Sequence, residues 1–333
     1  MSETLDPGTG VVVSVVIPVY NEEAGLTRFF DRLYPVLDGL GVSYEAVFVD
    51  DGSRDRSATL LRQQYKMHPD TTRVLFLRRN AGQHVAILAG LAACVGRRVV
   101  TLDADLQDLP EEIPRLLAEM DQGHDYVGAV RRHRYDSRWR ESASRLLNRL
   151  REHVTRVHMT DEGCMLRAYN RDVVDALLSS NEGHTFIPAL AYLYSTNPAE
   201  ILVGHGAREA GASKYPPYKL IQRTFDLLTG LSLVPLQLFS LVGIASSLVS
   251  FALAVYLILR GVIVGPEAEG PFVLLGVLFF LAGVVLFGIG LLGGYVGRIV
   301  ERGRGWPAAL VREELTQRKG HRTRELATWG PKA

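Results

Sequence analysis

Five apolar runs set the frame of this chain: "VVVSVVIP" (11–18), "YEAVFVD" (44–50), "TRVLFL" (72–77), "RRVVTLD" (97–103) and "YVGAV" (126–130). Few of their positions are polar, so each reads as a strand covered on both faces, as in a parallel sheet. Between them, residues 22–40, 55–68, 83–95 and 110–122 fit crossover helices. Pro110 followed by two glutamates makes a favourable first helical turn. Alternation of this kind predicts a doubly wound α/β domain over residues 1–214. Ligands of such sheets bind beyond the carboxyl ends of the strands, and there the chain places "PVYNEE", "DDGSRD", "RRNAGQH" and "DADLQD".

After residue 214 the pattern changes. Residues 215–233 mix Lys219, Arg223 and Asp226 with Leu220, Ile221, Phe225, Leu227 and Leu228, which predicts a helix lying in a lipid interface. No charged residue occurs over 227–259, and none over 270–297. Two membrane spans are predicted, about 234–259 and 271–297, with residues 299–333 as a tail. Arg260 in the connection is outweighed by Glu267 and Glu269, whereas Lys219 and Arg223 precede the pair and Arg298, Arg302 and Arg304 follow it. Basic residues stay on the cytosolic side, so both termini and the α/β domain are expected there, in a multi-pass protein of the inner membrane. Gly290, Gly293, Gly294 and Gly297 suit close helix contact, within the hairpin or in a homo-oligomer.

Composition adds little. A net charge of +1 over 333 residues exerts no general pull on nucleic acid. Cys94 and Cys164 lie far apart among apolar neighbours and read as core thiols rather than a disulfide or zinc set. The first residues, "MSETLDPGTG", lack the basic and apolar regions of a signal peptide.

The chemistry begins with "TLDADLQD" (101–108), where a buried strand runs into Asp103, Asp105 and Asp108. Acidic turns are common, but paired acids at a strand end, with Gln107 as a neutral oxygen, suit a divalent cation. Such an ion, Mg²⁺ or Mn²⁺, would neutralise a departing diphosphate. Asp50 and Asp51 end the second strand; Gly52, Ser53 and Asp55 suit a turn and helix cap, while the adjacent carboxylates suit a base and a ribose. Tyr20 could flank a nucleobase. The dinucleotide fingerprint and the P-loop are both missing from the sequence.

"VVIPVYNEE", "VDDGSRDRS", "NAGQHVAILAG", "LDADLQDLPEEIP" and "GCMLRAY", in this order and spacing, resemble glycosyltransferase family 2 with the GT-A fold. More narrowly they resemble its polyprenyl-phosphate transferases, dolichol-phosphate mannose synthase and the bacterial undecaprenyl-phosphate enzymes. The resemblance covers nearly the whole chain. It implies a UDP-sugar donor, an undecaprenyl phosphate acceptor and the lipid bilayer as partners, and 4-deoxy-4-formamido-L-arabinose as the sugar, with glucose or another hexose the alternative.

It also implies roles. Pro18, Tyr20, Glu22 and Asp50 would surround the uridine, and Asp103, Asp105 and Gln107 the metal. Arg131, Arg140 and Ser144 would receive the acceptor phosphate. Arg208, Ser213 and Lys214 belong to a loop closing over the phosphates, and Asp161 and Arg167 would stand near sugar and acceptor. His84 would contact the diphosphate or merely begin a helix. Of these, Asp105, Arg131, Arg140 and Asp161 form the expected catalytic set. A lipid monophosphate is anionic near neutral pH and needs no general base, so the task is positioning for a one-step inversion. A processive polysaccharide synthase would need more spans and a Gln-x-x-Arg-Trp sequence; a flippase would need intramembrane charge.

Overall fold

The computed structural model describes residues 10–131, 159–161, 163–180, 187–204, 270–303 and 311–317, with scattered residues between 236 and 263. Eight strands form one sheet: β1 (Val13–Val19), β2 (Tyr44–Asp50), β3 (Thr72–Leu77), β4 (Arg98–Thr101), β5 (Tyr126–Arg131), β6 (Arg167–Asn170), β7 (Pro198–Val203) and β8 (Val311–Leu315). Their order is β7-β5-β6-β4-β1-β2-β3-β8. The expected five strands are present. Three further ones make the sheet mixed, because β6 runs antiparallel between β4 and β5, and β8 antiparallel beside β3.

Helices α1 (Leu26–Asp38), α2 (Ser57–Met67), α3 (Gln83–Ala93) and α4 (Ile113–Asp121) follow the first four strands, α4 entering through a single turn at Pro110–Glu112. Helices α5 (Arg171–Ser179) and α6 (Ile187–Tyr194) lie between β6 and β7. Every position of β2 and β3 is buried, which explains their nearly continuous apolar runs. Phe29 and Phe30 of α1 meet Phe48 of β2 edge to face, with ring centroids 6.5 and 5.4 Å apart. Each such buried ring contributes about 2–3 kcal/mol through burial alone.

Residues 1–214 and 305–333 form one compact unit and residues 215–304 another. In the second, the apolar helix α7 (Gly270–Gly303) has 34 residues, about 51 Å at 1.5 Å per residue. That exceeds the roughly 30 Å of a bilayer core. Its stretch Phe280–Gly297 is long and apolar enough to cross a membrane. Phe280, Leu286 and Phe287 are 68%, 69% and 67% exposed, which water would penalise and lipid would not. Described residues between 236 and 263 are helical, and the Phe239 ring packs against Gly288, where a β-carbon would collide with it. Gly290, Gly293 and Gly297, expected to mediate such contacts, face open space.

The strand β8 lies in what reads from sequence as a tail. Its residues "VREEL" carry three charges in five, and pairing rather than apolar burial fixes them. Arg62 of α2 donates to both Glu313 carboxylate oxygens at 2.5 and 2.6 Å, and Arg73 of β3 donates to Glu314 at 2.6 Å. The strand thereby covers the exposed edge of β3.

Candidate active site

The parallel strands β1 to β5 end on one edge of the sheet, and hydrogen bonds join the loops that follow them. Asn21, with a left-handed φ of 56°, donates its N–H to the Ser53 hydroxyl at 3.0 Å and accepts the Arg54 N–H at 2.8 Å. The Glu22 N–H donates to the Ser57 hydroxyl at 2.9 Å. These bonds leave Tyr20 41% exposed at the rim. Pro18 lies in β1 opposite Val49, next to the Val19–Asp50 pair that closes the register.

Asp50 and Asp51 serve different ends. Asp51 accepts the Ala81 and Gly82 N–H groups at 2.7 and 2.9 Å, locking the loop after β2 to the loop after β3. Gly52 between them has φ +70°, and a β-carbon there would lie 2.7 Å from the Arg79 carbonyl carbon, so only glycine fits. Asp50 accepts the Ser53 N–H at 3.2 Å. Burial raises the pKa of both carboxyls above the usual range.

Beyond β4 the chain turns through Leu106 at φ 60°, a conformation costly for a branched residue and one that clusters at functional sites. The turn is held by the Gln107 N–H donating to Asp105 at 3.0 Å. Gln83, at the start of α3, donates its amide to Asp103 at 2.7 Å. Burial, then the neighbouring Asp108 and Asp105 charges, push the Asp103 carboxyl up to about 8, with Glu22 adding to the effect. The side-chain nitrogen of Gln107 is buried without a hydrogen-bond partner. Asp108 is turned to structure: it accepts the Met165 N–H at 3.3 Å and the Cys164 thiol at 3.4 Å.

Asp103 and Asp105 would suit a divalent ion that takes its other ligands from water and substrate. Among the described residues, no three His, Cys, Asp or Glu side chains form a metal cage. A Mg²⁺-type ion needs none, since it binds through one or two carboxylates, water and substrate phosphates. Burial first, and then the neighbouring acids, disfavour the ionised Asp103 carboxyl, and a bound cation would offset both.

At the end of β5, Arg131 and Asp161 form a two-pronged pair, with Arg131 Nε and Nη2 donating to the carboxylate at 2.6 and 2.8 Å. Asp161 also accepts the Gly163 N–H at 2.9 Å. Burial is the largest single influence and opposes its charge, but the Arg131 bonds and charge together with the Gly163 N–H hold its pKa below the ordinary range. Arg167 is fully buried, donating to the Cys164 and Asp161 carbonyls at 2.9 and 2.8 Å and to the Tyr126 hydroxyl. It therefore shapes the 161–164 loop from beneath and is shut off from solvent. Because β6 is antiparallel, this loop arrives at the same edge as the ends of β4 and β5.

One edge thus gathers Pro18, Tyr20, Glu22, Asp50, Asp103, Asp105, Gln107, Arg131 and Asp161. Arg140, Ser144, Arg208, Ser213 and Lys214 lie outside the described residues. Asn21 and Gln83 contribute to the architecture of the edge without having been singled out from sequence. Both stand inside the quoted motifs, and a polar side chain flanking a strand-end acid was the available signal.

A mixed α/β sheet with crowded carboxylates beyond its fourth strand and a paired arginine beside them accords with the class that comparison with known proteins shows, a glycosyltransferase. Residues 14–178 match Glycosyl transferase family 2, and the chain belongs to that family. It is 47% identical over 301 residues, 90% of this chain and 93% of the other, to undecaprenyl-phosphate 4-deoxy-4-formamido-L-arabinose transferase of Edwardsiella ictaluri (strain 93-146). The Aeromonas hydrophila protein of the same name is 44% identical over 304 residues, 91% and 93% of the two chains. Among solved structures, glucosyl-3-phosphoglycerate synthase from Mycobacterium tuberculosis, in complex with Mn²⁺, UDP and phosphoglyceric acid, is similar with a TM-score of 0.49. It is 24% identical and covers 67% of this chain and 78% of its own.

Proposed function

We propose that the protein transfers 4-deoxy-4-formamido-L-arabinose from its UDP-linked form to undecaprenyl phosphate, with inversion at the anomeric carbon. The observation that carries this reading is the alignment of Asp50, Asp103, Asp105 and Arg131 along one sheet edge, in a chain 47% identical to a relative of that name. Tyr20 flanks the base, with Pro18 and Glu22 beside it, and Asp50 accepts a bond from the uridine. Asp103 and Asp105 would hold Mg²⁺ or Mn²⁺, which when bound offsets the charge of the leaving diphosphate. The buried Gln107 amide gains an acceptor once a diphosphate oxygen arrives.

Arg131, with Nη1 outside its pair with Asp161, offers that nitrogen to the lipid phosphate. Asp161 acts as a positioning residue, since a carboxylate with a lowered pKa is a poor base and the phosphate already carries the nucleophilic charge. Arg140, Ser144 and Lys214 complete the phosphate cradle in this reading.

Purified full-length protein offered a panel of UDP-sugars with undecaprenyl phosphate tests the reading. Release of UDP and formation of a glycolipid are expected with the formamido-arabinose donor, and chelation should abolish both. Preference for UDP-glucose would replace the sugar, and no turnover with any UDP-sugar would refute the reading. For the membrane arrangement we propose an interfacial segment over 215–233 and a hairpin over 234–298 with both termini cytosolic. Reporter fusions at Glu267 should give an extracytoplasmic signal; a cytosolic one would overturn the topology.

A further inference from the structure

The C-terminal strand β8 does more than cover an edge, because its pairing with β3 is irregular where it reaches the carboxyl ends of the parallel strands. Val311 stands opposite Leu77 and Glu313 opposite Phe76, so Arg312 is the extra residue of a β-bulge. Bulges re-aim a side chain and recur beside active sites. The row across the sheet is Asp50, Phe76, Glu313, each opposite the next. Residues opposite one another share a face of the sheet. That face is the one under α2, because Arg62 lies over the Phe76 ring at 4.2 Å and pairs with Glu313. Arg312 stands one step from this row towards the nucleotide edge. It is exposed, and its positive charge slightly favours the ionised Asp50 carboxyl against the larger effect of burial. The flanking Glu313 and Glu314 fasten the strand to Arg62 and Arg73.

On the reading that the donor is a UDP-sugar, we propose that Arg312 is a donor-binding residue. Its guanidinium donates to a carbonyl oxygen of the uracil while Asp50 accepts the ring N–H beside it. The pairing edge of uracil presents a carbonyl, an N–H and a second carbonyl. A carboxylate alone satisfies the N–H but repels both carbonyl oxygens. A cationic donor next to it removes that repulsion, and placed at O4 it makes the pair selective, since cytosine carries an amino donor there and an acceptor where uracil carries the N–H. The residue that completes base recognition thus lies some 260 positions after Asp50, as Arg312.

The test titrates UDP and CDP into full-length protein in lipid nanodiscs. Arg312→Ala should weaken UDP binding about tenfold or more, the loss one charge-assisted hydrogen bond produces. Arg312→Lys should recover part of it. In turnover assays the Ala variant should raise KM for the UDP-sugar and leave KM for undecaprenyl phosphate unchanged, and the preference for UDP over CDP should narrow. UDP binding within twofold of the wild type would overturn the proposal, as would an equal loss for UDP and CDP. A lowered unfolding temperature with no recovery in the Lys variant would make the role structural and overturn it as well. Wild-type protein that binds no UDP would refute the functional reading itself, a result distinct from wild-type binding that survives Arg312→Ala.

Discussion

Asp103→Asn should leave a folded protein whose sugar transfer, followed as UDP release, falls about a thousandfold or more. The same substitution should make the metal-free protein more stable at alkaline pH, and that combination separates a functional acid from a structural one. In the fold the Asp103 carboxyl keeps its proton up to about 8, whereas in an unfolded chain it is lost near pH ~4. Between those values the folded state binds more protons. Metal-free stability therefore falls as pH rises through that window, and the loss is complete above about pH 8. Asp50 and Asp51, raised by burial, add to the same slope. Mg²⁺ or Mn²⁺ should restore the melting temperature of the wild type near pH ~8 and do little for Asp103→Asn. Normal turnover by that variant, or melting curves of the wild type indifferent to divalent ions, would remove the metal from Asp103.

The second large effect is expected at the Arg131–Asp161 pair. Arg131→Ala leaves the Asp161 carboxylate, 3% exposed, buried without its partner, which should cost about 3–5 kcal/mol of stability by thermal or urea unfolding. Replacing both residues together, Arg131→Met with Asp161→Leu, should regain most of that stability, because an apolar pair of similar volume carries no desolvation cost. If Arg131 meets the acceptor, the double variant stays inactive with undecaprenyl phosphate while binding UDP like the wild type. Recovery of transfer along with stability would reduce the pair to a structural clasp.

How much of this was legible in the sequence depends on what each element uses to hold itself. The first five strands are buried on both faces, so Val47 or Leu75 had to be apolar and the runs stood out. The acids beyond β2 and β4 were visible because nothing in a turn requires so many charges. Which of them the folded backbone occupies was not visible. Asp51 accepts the Ala81 and Gly82 N–H groups and Asp108 the Met165 N–H, all from distant loops, whereas Asp50 accepts the nearby Ser53 N–H and Asp103 the Gln83 side-chain amide. β6 escaped notice because "RAYN" is too short to show a period and contains an arginine whose burial is satisfied by carbonyls. β8 escaped because its stabilisation is ionic. Glu313 and Glu314 look like tail residues until Arg62 and Arg73, about 250 and 240 positions earlier, are seen opposite them.

Synthesis order gives β8 one more significance. A ribosome makes residues 1–214 first, then both apolar segments, and only afterwards 311–315. The sheet therefore stays open along β3 until both apolar segments have been made. Closure of the sheet is thereby ordered in time, after both apolar segments, and a product cut short before Val311 would keep those segments yet lack the strand that covers β3.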